Sequence, residues 1–546
     1  MRITNHMIMN NASVNINGTK ISVNDINTQM TTQQKISRPS DDPVVAIRSL
    51  RFSTTLSKID QYYEKNIPDA ESWLDVTESA LINMKSLITD FRTECVNGST
   101  GTLTQDDRNT ILKQLQSLQD QIYMEGNADY AQRTVFTGFR TNQNLVFTEN
   151  ETSTSYQIKE TFKASDDINE YRYYTGDVLV PNTQAEVLGN AISDTEQTNY
   201  YRIRTAYSGL DSLDTFSYSY GNPVVNEDFT GIDSIAMTDV TDPVTGQVVG
   251  QTGTATGSNG TTMVVYDNES AWAADAGSKV VDDDQIVVIK DSGQIVFGKN
   301  IASTLKQNNA DINLDYTKTG FDKGQLKPEY YFDCKYLVDK DGVNQVDRDG
   351  NPGITYKKFN DDGTEIGYDI DYTISANQTL TVNLEACDAI DNNIQRDMEE
   401  MINAVQRSIN AHDKVEQLKK MKNETQYATD EYQEKLDSWI KYAQKEADYY
   451  DDNMQKLFST ELGKSDVYLE DISLSITKVG CTVDQLKLTQ TRMQDQQETV
   501  RELQSKNDDL DLSKIIIDYT AAYTAYQASL TAASKLGSMT LLNYLS

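Results

Sequence analysis

The chain has 546 residues, with 49 Lys+Arg against 83 Asp+Glu and a formal net charge of −34. That balance excludes wrapping nucleic acid or docking on an anionic membrane, because both need clustered Lys and Arg. No run approaches the ~18 consecutive apolar residues of a membrane span, and the length is a prior for three or more compact units.

The first thirty residues hold no apolar run longer than Met7-Ile8-Met9. No secretory leader is expected, so the chain is expected to stay in the cytosol or to leave by a route that reads no such peptide. None of the eight prolines follows Pro352, and none falls between Pro68 and Pro181. Most of the 28 glycines lie between residues 140 and 387. Breakers are scarce at both ends and crowd the middle, which predicts helical ends around a β-rich centre.

In chain order, Met9, Ala12, Ile16, Thr19, Val23, Ile26, Met30 and Gln33 recur at steps of three and four, one helical stripe. Residues 36–48 follow, with Ser40, Asp41 or Asp42 able to cap the next helix and Pro43 suited to its first turn. Residues 67–91 carry a wide seam through Ala70, Trp73, Thr77, Ala80, Met84, Leu87 and Phe91, which predicts burial against more than one neighbour. Residues 106–136 read as a further helix, with Ile111, Leu115, Leu118 and Ile122 inward. The centre, 145–387, alternates like strands at 262–266, 286–289, 295–297, 368–374 and 380–384. The stretch 245–261 reads as a flexible Gly/Thr/Ser loop. Helical spacing returns over 390–422 and over 472–503, where Gln490 and Gln497 interrupt the apolar seam. After the acidic break at 505–511, Leu512, Ile516, Tyr519, Tyr523, Tyr526, Leu530 and Ala533 average 3.5 residues per step, a coiled-coil spacing.

Residues that carry chemistry are few. Cys95, Cys334, Cys387 and Cys481 are scattered without metal spacing, and His6 and His412 are the only histidines. The Asp-Lys-Asp-Gly at 339–342 and Asp-Arg-Asp-Gly at 347–350 resemble calcium loops. They lack the later ligands, since Val343 and Pro352 stand where a ligand and a glycine are needed. Asp-Gly in type I′ hairpin turns explains them better. No nucleophile–base, nucleotide or zinc motif occurs. No enzyme activity, cofactor or resident metal is expected.

Several separated segments, in order, resemble one family. These are the opening MRIT, RPSDDPVVAIRSL, NIPDAESWLDVTESAL, TVFTGFRTNQNLVF at 134–147, YYTGD at 173–177, VGCTVDQLKL, and the closing DDLDLSKIIIDYTAAYTAYQASLTAASKLGSMTLLNYL. Together they resemble the flagellin superfamily, and within it the branch that joins the flagellar hook to the filament. Flagellins proper usually carry a Leu-Ser-Ser-Gly run and an Ala-Lys-Asp-Asp-Ala-Ala-Gly segment where this chain has Thr31-Thr32-Gln33-Gln34-Lys35 and Arg38-Pro39-Ser40-Asp41-Asp42-Pro43. The departures are Gln34, where the family often has Gly, and a charged helical stretch at 424–464.

The resemblance implies an α+β fold: an elongated rod, with a helical coiled coil and bundle built from both chain ends and an inserted β-rich outer module. Residues 1–45 with 505–546 would form an inner terminal coiled coil. Residues 46–144 with 388–504 would form a helical bundle, and 145–387 the variable outer module. The expected assembly contacts are Ile16, Val23, Ile26, Tyr519, Tyr526, Leu530, Leu541 and Leu545, with Arg38–Pro43 as an inter-domain turn and cap. Implied partners are further copies in a ring, a hook-side hook-associated protein, flagellin, and an export chaperone on the C-terminal helix. Export would be as an unfolded chain without a cleaved signal, to the extracellular hook–filament junction. Two rivals remain: a bulk filament subunit, or a surface-binding module in the central region.

Overall fold

Freedom from breakers lets both ends of the chain run as long helices. The computed structural model describes residues 5–538 apart from 102, 222, 243–245, 276–278 and 361–362. Leu541 and Leu545 therefore lie outside the described residues. The helices are α1 (Asn5–Thr32), α2 (Pro43–Gln61), α3 (Ile67–Gly98), α4 (Gln105–Gly126), α5 (Ala164–Asp167), α6 (Gln184–Gly189), α7 (Glu269–Asp275), α8 (Lys299–Gln307), α9 (Ala386–Ala389), α10 (Asn393–Lys422), α11 (Asp430–Asp508) and α12 (Leu512–Ser538). The strands are β1 (Asp129–Tyr130), β2 (Arg133–Thr134), β3 (Glu151–Lys163), β4 (Asn169–Thr175), β5 (Glu196–Arg204), β6 (Ser212–Tyr220), β7 (Val225–Thr230), β8 (Thr238–Thr241), β9 (Val248–Thr256), β10 (Thr262–Tyr266), β11 (Gln285–Ile289), β12 (Gln294–Phe297), β13 (Asp311–Phe321), β14 (Asp333–Val338), β15 (Ile354–Tyr356), β16 (Asp371–Ser375) and β17 (Gln378–Thr381). The chain is an α+β protein with long terminal helices and a β-rich centre, as expected.

Two compact units result. One draws on Met1–Glu71, Asp371–Thr381 and Thr482–Ser546, the other on Ser72–Ile370 and Val382–Cys481. In the first, α2 passes into α3 through a single π turn, Tyr62–Asn66, without leaving helical dihedrals. Pro68 supplies a cause: it has no N–H to donate, and its ring crowds the carbonyl four residues back. Ile67 N–H accordingly bonds Tyr62 O, one residue further back than in an α-helix. The β16–β17 hairpin packs beside this turn, with Asn66 Nδ2 donating to Thr373 O at 2.7 Å.

In the second unit, two sheets face each other. One has the order β15-β14-β3-β13-β6-β7, the other β4-β5-β12-β11-β10-β9-β8. Tyr156, Ile158, Phe216, Ile312, Leu314 and Tyr316 from the first meet Ile203, Met263, Val265, Ile286, Val288 and Phe297 from the second. The outer side of the larger sheet is buried too, under Trp272 and Ala271 of α7. Hence Ile286–Ile289 is a continuous apolar run rather than an alternating one.

Two expectations need correcting. Most of the described part of 245–261 is strand, not flexible loop: β9 (Val248–Thr256) pairs with β8 and β10. Its glycines mark close approach. A Cβ on Gly253 would lie 2.5 Å from Ile235 Cγ2, and one on Gly257, just past the strand, 2.0 Å from Glu227 Oε1. The helix expected over 106–136 ends at Gly126, and a small β1–β2 hairpin follows. The charged stretch 424–464 is helical from Asp430 and continues without a break into the following seam, since α11 runs from Asp430 to Asp508. Its first part has a partner: Leu436, Trp439, Ala443 and Ala447 pack on Ala411, Val415 and Leu418 of α10 and on Val178 and Val187.

Gly98 closes α3 against α11. A Cβ there would sit 2.0 Å from Phe458 Cδ1, and Phe458 is fully buried. Gly98→Ala should therefore lower the unfolding free energy of the second unit by about 1–3 kcal/mol through overpacking, read from the urea midpoint of tryptophan emission. Trp73, Trp272 and Trp439 all belong to that unit.

Candidate functional site

The terminal helices form the first unit's seam. Ile8, Ala12, Ile16, Thr19, Val23, Ile26 and Met30 of α1 are half-buried. Facing them on α12 are buried Ile515 and half-buried Tyr519, Ala522, Tyr526, Ser529 and Ala533. The steps are fours and threes on both helices, strictly alternating on α12, the spacing that keeps a seam on one side. The end of α1 lies beside the start of α12, so the pair is antiparallel.

Around residue 33 the chain is tied down by polar contacts. Gln33 adopts φ +59°, a left-handed close to α1 without a glycine; the departure from the family pattern was expected one position later, at Gln34. Gln33 O accepts from Leu510 N at 3.1 Å, and Lys35 N donates to Asp508 O at 2.8 Å. Lys35 Nζ donates to Asn507 O at 3.0 Å and also to Lys506 O. Ser49 Oγ donates to Asp508 Oδ2 at 2.8 Å, and Asn507 Nδ2 to Val45 O at 3.1 Å. The acidic break is thus a clamp on the α1–α2 turn.

Within that turn the roles separate. Asp42 caps α2: its Oδ1 accepts from Val44 N at 2.9 Å and Val45 N at 3.2 Å, and Pro43 takes the first helical position. Asp41 instead holds the turn itself, its Oδ2 accepting from Arg38 N at 2.8 Å and Ser37 N at 3.1 Å. Pro39 and Ser40 sit exposed between them.

Of the expected contact residues, Ile16, Val23, Ile26, Tyr519 and Tyr526 lie in the α1–α12 seam. Leu530 does not. It is 42% exposed and falls on a second line of α12 with Ile516 and Tyr523, seven residues apart each time. Met7, Val14 and Ile21 of α1 repeat the same seven-residue spacing and are also exposed. Sequence reasoning merged Ile516, Tyr523 and Leu530 into the seam and missed the line on α1. The seven-residue interval was the available signal for both. Exposed Val44, Ile47 and Leu50 extend the apolar surface onto α2. So much exposed apolar side chain on one unit is the signature of a surface that another protein covers.

Other candidate chemistry is already occupied. Asp339 Oδ1 accepts from Asp341 N at 3.0 Å and Val343 N at 2.9 Å, and Asp347 Oδ1 from Asp349 N at 2.9 Å and Asn351 N at 2.8 Å. Only the glycine of each turn has positive φ, so these are not type I′ turns but five-residue closures with a left-handed Gly342 or Gly350. Glu365, Glu385 and Cys387 could surround a metal ion, but the Lys358 ammonium is already there. It bonds Glu365 Oε1 at 2.9 Å and Glu385 Oε2 with 1% of its side chain exposed. Burial pushes the Cys387 thiol up to about 12. Cys95 and Cys334 are buried, and Cys481 is exposed. His412 Nε2 sits 2.9 Å from Asp451 Oδ2, a carboxylate that also takes Arg108. Among the described residues no helix is long and apolar enough to cross a membrane.

Residues 3–141 match the bacterial flagellin N-terminal helical region. The chain is 28% identical over 142 residues to flagellar hook-associated protein 3 of Salmonella typhimurium, covering 26% of this chain and 44% of that protein. It is 31% identical over 114 residues to the Escherichia coli protein of the same name, covering 21% of this chain and 36% of that protein. It thus matches less than half the length of these curated relatives. A flagellar hook-associated protein from Vibrio parahaemolyticus aligns over 86% of this chain and 100% of its own, at 10% identity and a TM-score of 0.33, too low to carry an argument. The resemblance expected from the motifs is found: the chain is similar to hook-associated protein 3.

Proposed function

We propose that this chain is a structural, non-enzymatic subunit of the bacterial flagellum that joins hook to filament. The observation that carries the proposal is the pair of exposed seven-residue apolar lines, one beside the seam on α12 and one on the face of α1 away from it, around a seam that is itself only half-buried. The similarity of about a quarter of the chain to hook-associated protein 3 supports the same reading. An isolated helix pair of this kind is marginal in water, and neighbouring copies would cover its apolar lines and stabilise it.

In this reading residues 1–45 and 505–546 form the assembly domain, 46–144 and 388–504 the helical bundle, and 145–387 a separate module. Ile16, Val23, Ile26, Tyr519 and Tyr526 hold the assembly domain together, and Leu530 faces its neighbours. Arg38–Pro43 is the turn between domains. The subunit forms a ring with its own copies, meets a hook-side hook-associated protein and flagellin, and reaches the extracellular junction as an unfolded chain after a chaperone has held its C-terminal helix. A net charge of −34 keeps such a subunit soluble before assembly.

Electron microscopy of a strain lacking the chain is the test. Hooks without filaments, with flagellin lost to the medium, are the expected result. Normal filaments in that strain, or the chain present at the abundance of flagellin along the filament, would overturn the junction reading.

A further inference from the structure

The second unit buries a charge cluster for which assembly has no use. Asp397 of α10 has a fully buried side chain. Its Oδ1 accepts from Arg204 Nη2 at 2.5 Å and Lys464 Nζ at 2.9 Å, and its Oδ2 from Tyr468 OH at 2.6 Å. Glu461 of α11 is 1% exposed, and its Oε1 lies 3.0 Å from the same Lys464 Nζ. Its Oε2 meets no donor among the described residues, and the two carboxyls converge on the one Lys464 ammonium.

The surroundings come from four elements. β5 supplies Arg204 and Arg202, the latter paired with Glu400 of α10. Lys464 and Tyr468 come from α11 itself. The buried Cys95 thiol and the Glu94 carboxyl come from α3, and Asp391 stands just before α10. Arg204, Glu400, Glu461, Lys464 and Tyr468 line a cavity of about 1600 Å³, which gives protons a route in.

We propose that Asp397 and Glu461 hold one proton between them in the folded second unit, and that this proton latches α11 onto α10 and β5, so that alkaline conditions loosen that unit. Two buried carboxylates held on one ammonium do not both ionise readily. A proton on Glu461 Oε2, donated to Asp397, is the arrangement that leaves no buried oxygen bare. Burial, and after it the Asp397 charge, push Glu461 above its ordinary range. Burial also opposes ionisation of Asp397, but Arg204 and Lys464 outweigh it and hold that carboxyl below its range.

The sign follows. A group raised on folding contributes stability that is complete below its unfolded value and lost as pH rises through its folded one. The contribution of Asp397 is lost only at acid pH, outside the window that matters here. Glu160, raised by burial to about 7, adds a separate slope of the same sign as Glu461.

The test is thermal unfolding of the full chain between pH 5.5 and 9.5 (about the span set by these shifts), followed by tryptophan emission, in wild type and Glu461→Gln. Gln supplies an uncharged donor in place of the protonated acid. The wild-type Tm should fall across this range, and Glu461→Gln should fall less, by roughly 1.5–2 °C for each tenfold change in the linked equilibrium. Parallel profiles overturn the proposal. Should Glu461→Gln fail to fold, infrared spectra of wild type labelled with 13C at the glutamate side-chain carboxyl decide. A protonated-carboxyl band that persists above pH 7 and disappears in Glu160→Gln, or no such band, refutes the latch. One that survives Glu160→Gln supports it.

Discussion

The double substitution Ile516→Asp, Leu530→Asp abolishes incorporation of the chain into flagella while leaving its second unit folded. Both side chains are about half exposed, at 53% and 42%, so the monomer loses little when they become charged. In the assembled state the same positions would be desolvated. An unpaired carboxylate there costs about 3–5 kcal/mol, and each subunit would bury two. Ala528→Asp is the control, since Ala528 is exposed on the side of α12 away from both the seam and the Ile516–Leu530 line. Tryptophan emission should be unchanged in both variants, because all three tryptophans lie in the second unit. Microscopy of complemented cells should show filaments only with Ala528→Asp. Normal filaments from the double variant would remove the line on α12 from the interface.

What could be read from the sequence depended on how local the cause was. The α1 and α12 stripes appear as periodicity because a helix repeats its contacts every three or four residues. Asp42 and Pro43 appear as a cap because capping is settled within a few positions. The Gln33–Lys35 clamp onto 507–510 was out of reach, since it joins residues more than 470 positions apart. For β9, composition misled: Gly250, Gly253 and Gly257 look like a flexible linker until Asn268 and Ala271, Ile235 and Met237, and Glu227 are seen filling the space that side chains would need. The Leu530 misplacement has a similar origin. A stripe averaging 3.5 residues contains two adjacent lines, and only the position of α1 separates the one that is covered from the one that is not.

The Asp397 cluster gives the other large effect, and its two carboxyls should respond oppositely. Asp397→Asn removes the anion on which Arg204, Lys464 and Tyr468 converge. Arg204 retains Glu400, at 2.9 Å from its Nη1, but its Nη2 loses a buried anion, and Lys464 keeps only Glu461. Breaking a buried pair from one side costs about 3–5 kcal/mol. Asp397→Asn should therefore lower the urea midpoint of the second unit markedly at pH 7, as read by tryptophan emission, and leave the far-ultraviolet signal of the remaining folded fraction intact. With the Asp397 charge gone, Glu461 loses the repulsion that helped keep it protonated and becomes the nearest anion for Lys464. A second substitution, Glu461→Gln, should then be harmful in the Asp397→Asn background although it is tolerated or stabilising at pH 7 in the wild type. That change of sign in a double-mutant cycle separates a shared proton from two independent ion pairs, for which the two costs would simply add.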